Sequence, residues 1–280
     1  MNINWYPGHM KKTKELIREQ LKLVDIVYEL LDARIPISSR NPDVDQIIGD
    51  KPKVIILNKI DLADPRATAK WVEYFKRNSI TVIPINTITG EGIRQLAEES
   101  ERAIKDKMDA LIKKGRRPRP ARIMIVGIPN VGKSSLINKL AGRKSTQTGD
   151  RPGVTKSKQW IRLKGNMELL DTPGILWPKF EDEEVALNLA FSGAIKDEIM
   201  DTETLAYKLL EILWGNHKEK IVERYKLQDE YTTIIEIMDN IARNRGCILK
   251  GDEIDYSRIS NIILDEFRSG RIGQISLEYP

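Results

Sequence analysis

The sequence predicts an α/β fold: a doubly wound, mainly parallel sheet followed by an all-helical segment. Three observations carry this expectation. Ahead of Pro178, short β-branched apolar runs alternate with helical stretches, the pattern of strands covered on both faces. The run Gly115-Arg116-Arg117-Pro118-Arg119-Pro120 divides that region into two strand-loop-helix series, since its prolines cannot sit inside a regular helix. Beyond Pro178 the strand signal fades, and Leu205, Leu209, Ile212 and Leu213 recur at helical spacing. The expected division is residues 1–178 and 179–280, the second part entirely helical.

Taken in order, residues 10–24 would form a helix with Lys11, Lys14, Arg18 and Lys22 on one face and Met10, Ile17, Leu21 and Val24 on another. A basic stripe of this kind is ordinarily solvated surface. Residues 24–31, 53–57 and 81–85 read as buried parallel strands with helices between them. A charged helix over about residues 92–114 leads into the Arg/Pro run, which is a linker. The strand at 122–126 opens the second series, and residues 160–163 with 167–170 form a hairpin that completes the sheet. His217, beside Lys218 in a polar connection, is expected to be solvated.

A chain of 280 residues is long for one core and sufficient for two. With 40% hydrophobic and 31% charged residues it is globular rather than disordered. The opening lacks the apolar core of a signal peptide and no run approaches a membrane span, so a cytoplasmic protein with no membrane partner is expected. The single Cys247 excludes an internal disulfide and a thiolate metal site; it reads as core filler. Net charge is +5, unevenly placed: 12 Lys and Arg against 17 Asp and Glu from residue 185 onward, and 34 against 24 before it. Attraction to a polyanion therefore belongs to the earlier part of the chain or to local patches.

Gly127-Ile128-Pro129-Asn130-Val131-Gly132-Lys133-Ser134 satisfies the phosphate-loop pattern after a strand and at the start of a helix. Its glycines let the backbone wrap closely around phosphates, and successive N–H groups with the helix N-terminus favour their charge. Lys133 would reach the β and γ oxygens and Ser134 would ligate Mg²⁺. Val131, Gly132 and Ser135 complete the phosphate-binding set. Asp171-Thr172-Pro173-Gly174 follows a strand, so Asp171 can hold Mg²⁺ through water and Gly174 can offer its N–H to the γ-phosphate. Thr155, in Pro152-Gly153-Val154-Thr155, is the candidate switch threonine that completes magnesium coordination. Asn58-Lys59-Ile60-Asp61 stands directly after the second strand, where Asp61 can accept from the ring N–H and exocyclic amine of guanine. Adenine lacks that donor pair, and a buried polar site deprived of its partners discriminates by roughly 10⁴ or more. Asn86 and Thr87 would close the base pocket, although Asn86-Thr87 replaces the usual Ser-Ala.

These motifs define a P-loop GTPase domain whose base-reading segment precedes its phosphate loop: a circularly permuted, doubly wound domain followed by an all-α C-terminal domain. Together with Trp5-Tyr6-Pro7-Gly8-His9-Met10, Asp32-Ala33-Arg34-Ile35-Pro36 and Arg40-Asn41-Pro42, they resemble the circularly permuted GTPases, and among them the ribosome biogenesis GTPase A family of bacterial large-subunit assembly factors. The resemblance covers residues 5–178 and a similar helical tail. It implies GTP and GDP as ligands, Mg²⁺ as cofactor, and a large ribosomal subunit precursor, rRNA and ribosomal proteins together, as partner. It also implies K⁺, since Asn130 stands where potassium-activated relatives bind a monovalent cation; read from the residue alone, Asn130 is a turn former. Ile175 stands where many GTPases place a water-orienting glutamine, as in the hydrophobic-substituted class, and the resemblance makes His9 a catalytic candidate. Otherwise His9 is a capping or packing residue of a Pro-Gly turn. The basic stripe, with Arg116, Arg117 and Arg119, would then meet RNA backbone. A guanine-sensing module with negligible turnover is the alternative, motivated by the missing glutamine. An ATP-driven remodelling enzyme is disfavoured by Asp61.

Overall fold

The computed structural model describes residues 18–41, 44–142, 160–163, 166–170, 182–195, 201–228 and 230–280. Among them six strands form one sheet: β1 (Ile26–Asp32), β2 (Lys53–Asn58), β3 (Val82–Pro84), β4 (Ala121–Gly127), β5 (Trp160–Leu163) and β6 (Met167–Leu170). Their spatial order is β3-β2-β1-β4-β6-β5. Neighbours run parallel except the antiparallel β5/β6 pair, the hairpin expected from the sequence. The chain moves outward from β1 through β2 to β3, then returns to the other side of β1 as β4. The sheet therefore reverses its winding between β1 and β4, where ligands bind in open α/β folds.

Two helices show why both faces are covered. Helix α2 (Pro65–Arg77) follows the five-residue α1 (Val44–Ile48) and starts at Asp64, whose carboxylate accepts from the N–H groups of Arg66 and Ala67. Its Trp71 and Phe75 pack with Leu31, Ile55, Leu57 and Val82. Alternate residues of the same strands, Leu30, Val54 and Ile56, join the larger cluster that includes Leu96 and Ile104 of α3 (Ile93–Lys113). Tyr28 and Ser100 hydrogen-bond at 2.7 Å and pin α3 across β1.

Helix α4 (Lys133–Ala141) follows the phosphate loop, and α5 (Glu183–Phe191), α6 (Thr202–Tyr225), α7 (Ile234–Arg245) and α8 (Tyr256–Arg268) make up the later segment. Each of the last four begins at a side-chain cap: Asp182, Asp201, Thr233 with Glu236 in a capping box, and Asp255. The clustered apolar residues of α6, α7 and α8, including Leu205, Leu209, Leu213, Ile241 and Ile263, belong to the same contiguous core as the sheet. Cys247 is fully buried, as expected of core filler.

Three local expectations are corrected. The described part of the N-terminal helix stops at Leu21 rather than Val24, because Leu23 N–H turns back to the Gln20 carbonyl and Asp25 N–H already joins the sheet at Arg122. His217 lies inside α6, at a kink where its φ is −142°, and burial lowers its basicity. The chain beyond α8 is not helical: residues 274–278 run back over the sheet domain, with Ile275 N–H bonded to the Leu62 carbonyl and Leu277 N–H to that of Arg34.

Candidate functional site

The carboxyl ends of β1, β2 and β4 converge at the switch point. From β4 the chain enters the loop Gly127–Ser134, in which Ile128 and Val131 are buried anchors. Gly132 has φ +100°, and a Cβ there would fall 2.3 Å from Asn58 Nδ2; only glycine fits. A Cβ on Gly127 would meet the Leu30 carbonyl at 2.6 Å. Helix α4 starts from this left-handed glycine with no side-chain cap, unlike α5 to α8, so its first N–H groups remain available to an anion. Ser134 and Ser135 are exposed in its first turn. Lys133 Nζ donates to the Gly127 carbonyl at 3.0 Å, spanning the loop. Burial lowers its ammonium pKa to about 8, and a bound phosphate would supply a counter-charge that no described residue gives it.

Residues 58–61 are braced against that loop. Asn58 Nδ2 donates to the Val131 carbonyl at 2.8 Å, while the buried Asn58 Oδ1 has no partner among the described residues. Asn86 Oδ1 accepts from the N–H groups of Ile88 and Thr89 and folds the Asn86–Gly92 turn. Thr87 Oγ1 lies within van der Waals range of the space beside Gly132. Lys139 of α4 reaches the Ile88 carbonyl at 2.9 Å, tying phosphate helix to base turn. Asn58, Lys59, Asp61, Asn86, Thr87 and the phosphate loop thus come to one end of the sheet, as the motifs required.

Asn130 adopts φ +56°, the left-handed conformation its turn-forming chemistry favours. Its Nδ2 donates to the Gly193 carbonyl at 2.7 Å, linking the phosphate loop to the residues after α5. His9, Thr155, Asp171 and Gly174, with Ile175, lie outside the described residues.

A buried ion pair closes the end of β1 beside Lys59. Asp32, fully buried at the end of β1, accepts from Arg34 Nε at 3.0 Å, Arg34 Nη2 at 2.9 Å and Lys59 Nζ at 2.9 Å. Burial alone would raise its pKa, but the Arg34 and Lys59 charges prevail and hold the carboxyl well below the usual range. Arg34 is itself 1% exposed, with its guanidinium over the Phe267 ring. The detectable signal was an acidic residue closing an apolar strand, with an arginine two positions on.

The basic residues divide into free and committed. Arg116 and Arg117 are exposed, but Arg119 is held by Asp25 at 2.7 and 3.0 Å. In the later segment Arg224 and Arg245 both pair with Glu266, and Arg243 pairs with Asp252.

Two family models match the chain, one described as 50S ribosome-binding GTPase over residues 122–246 and one as RsgA GTPase over residues 49–181. Ribosome biogenesis GTPase A of Bacillus cereus is 49% identical over 100% of this chain and 95% of its own. The protein of that name from Thermotoga maritima is 34% identical over 99% and 95%. GDP-bound YlqF superposes with a TM-score of 0.70 at 30% identity, covering 95% of this chain and 99% of that one. GNP-bound YlqF from T. maritima gives 0.67 at 30% identity over 96% and 98%.

Proposed function

The chain belongs to the ribosome biogenesis GTPase A family, and from that premise we propose that it is a GTP-hydrolysing timer of large-subunit assembly. It binds the maturing subunit in its GTP form, hydrolyses, and leaves. The observation that carries the nucleotide half is the brace of Asn58 on the Val131 carbonyl, which locks base-reading and phosphate-binding segments into one site although they are far apart, and permuted, along the chain. The match to a family described by 50S ribosome binding supports the large subunit as partner.

In this reading Asp61 selects guanine, the N–H groups of the loop and α4 hold the phosphates, and Lys133 spans the β and γ oxygens. Ser134, Thr155 and Asp171 would hold Mg²⁺, whose charge would offset that of the phosphates. Gly174 fixes the γ-phosphate. Asn130 would hold K⁺, and His9 would aid turnover in place of the missing glutamine. The chain works in the cytoplasm, and its two functional parts divide at residues 178 and 179.

Sedimentation with large subunits in GDP, GTP and a non-hydrolysable analogue tests the timer: tighter binding in the analogue than in GDP is expected, and equal binding overturns it. Subunit-stimulated hydrolysis, faster in KCl than in NaCl and slowed by His9→Ala, is the companion measurement. No turnover with or without subunits would leave a guanine sensor.

A further inference from the structure

The segment Gln274–Glu278 lies along the loop that carries Asp61, its first three residues bonding to Asp61, Leu62 and Asp64 and its last two to residues outside that loop. Gln274 Nε2 donates to the Asp61 carbonyl at 3.3 Å, and Ile275 N–H donates to that of Leu62 at 2.9 Å. Ser276 Oγ accepts from Asp64 N–H at 3.1 Å, and Leu277 N–H reaches the Arg34 carbonyl at 2.9 Å. The far end is the firmest. The Glu278 carboxylate accepts from the N–H groups of Ile37 and Ser38 at 2.7 and 2.9 Å and from Asn188 Nδ2 at 3.3 Å, while its carbonyl accepts from Trp71 Nε1 at 3.1 Å. Its other face is gripped by the helical segment, where Lys220 Nζ of α6 bonds to the Gln274 carbonyl.

The loop this segment holds needs holding. Lys59 sits at φ +63°, outside the backbone region a lysine prefers, and below it Lys59 is tied to the Asp32–Arg34 pair. Arg34 in turn reaches the Phe267 carbonyl of α8 at 3.4 Å. Residues 61–64 are anchored on one side by Ala63, packed with Leu31, Leu57 and Trp71, and on the other by the hydrogen bonds of Gln274, Ile275 and Ser276.

We infer that Gln274–Glu278 is a positioning strap for Asp61, so that the helical segment sets how sharply the site distinguishes guanine. The strap touches no nucleotide; it acts by fixing the backbone that carries the guanine-reading carboxylate. Whatever displaces α6 or α8, a subunit surface included, then loosens base recognition.

The inference rests on Asp61 as the guanine reader, and the choice of ligands separates the two ideas. Inosine diphosphate lacks only the exocyclic amine, so the ratio of GDP to inosine diphosphate affinity reports Asp61 placement and is blind to general weakening. Glu278→Ala and Gln274→Glu are compared with the intact chain by equilibrium binding, with thermal midpoints measured in parallel. A fall in the ratio of about threefold or more in each variant, the scale of one weakened hydrogen bond, is the expected result. An unchanged ratio in Gln274→Glu overturns the strap. Equal affinity of the intact chain for both nucleotides overturns the guanine reading itself. Gln274 is exposed, so Gln274→Glu folds and decides the matter even where Glu278→Ala, which frees buried donors, does not.

Discussion

At the scale of single residues, Lys133 ties nucleotide binding to a proton. Burial lowers its pKa to about 8, and a phosphate beside it must raise that value again. Calorimetry at about pH 8.5, in buffers of different ionisation enthalpy, should show proton uptake on GDP binding. The uptake should vanish in Lys133→Met; its absence from the intact protein would mean that Lys133 does not meet the phosphates as a cation. The residues of this site were legible because phosphate and base recognition demand particular side chains at fixed spacing: Gly132 where no Cβ fits, and Asn58 where a brace must reach the next loop. The Asp32–Arg34 pair was not legible in the same way. An acidic residue closing an apolar strand with an arginine two positions on hints at the pair, but the arginine's burial depends on Phe267, far along the chain.

Among the elements, the linker after α3 shows how an apparently loose stretch becomes part of the frame. Asp25, at the entrance to β1, accepts from Arg119, Lys107 and the Arg122 N–H at 2.7 to 3.0 Å. Burial opposes its ionisation, but these partners win and hold its pKa at about 2 rather than 3.8. Because the folded value is depressed, the ionised carboxylate favours the fold above pH 3.8, and that contribution is lost as pH falls towards about 2. Asp25→Asn should therefore cost about 2 kcal/mol at neutral pH, with the gap to the intact protein closing in acid. Urea unfolding across that range checks it, and a gap independent of pH would assign the effect to packing. Strand positions were readable to within a residue or two because apolar β-branched runs are local. The pinning of the linker was not, since a pairing 94 positions apart leaves no periodic trace.

For the molecule as a whole, the contiguous apolar core running from the sheet into α6, α7 and α8 predicts cooperative behaviour despite the two-part organisation. Thermal unfolding should show one transition by both calorimetry and circular dichroism, and GDP should raise its midpoint as a unit. Two separate transitions, with only one moved by GDP, would show that the shared core does not couple the parts. The helical character of the later segment was visible in its spacing, whereas the return of residues 274–278 was not, because isolated backbone hydrogen bonds carry no sequence signature. That return also places the factor's own synthesis on a schedule. Gln274 emerges 213 positions after Asp61, so a nascent chain displays a guanine-reading loop long before its strap exists. If residues 274–278 position that loop, such a chain folds its sheet before the segment that holds the loop after β2 is made.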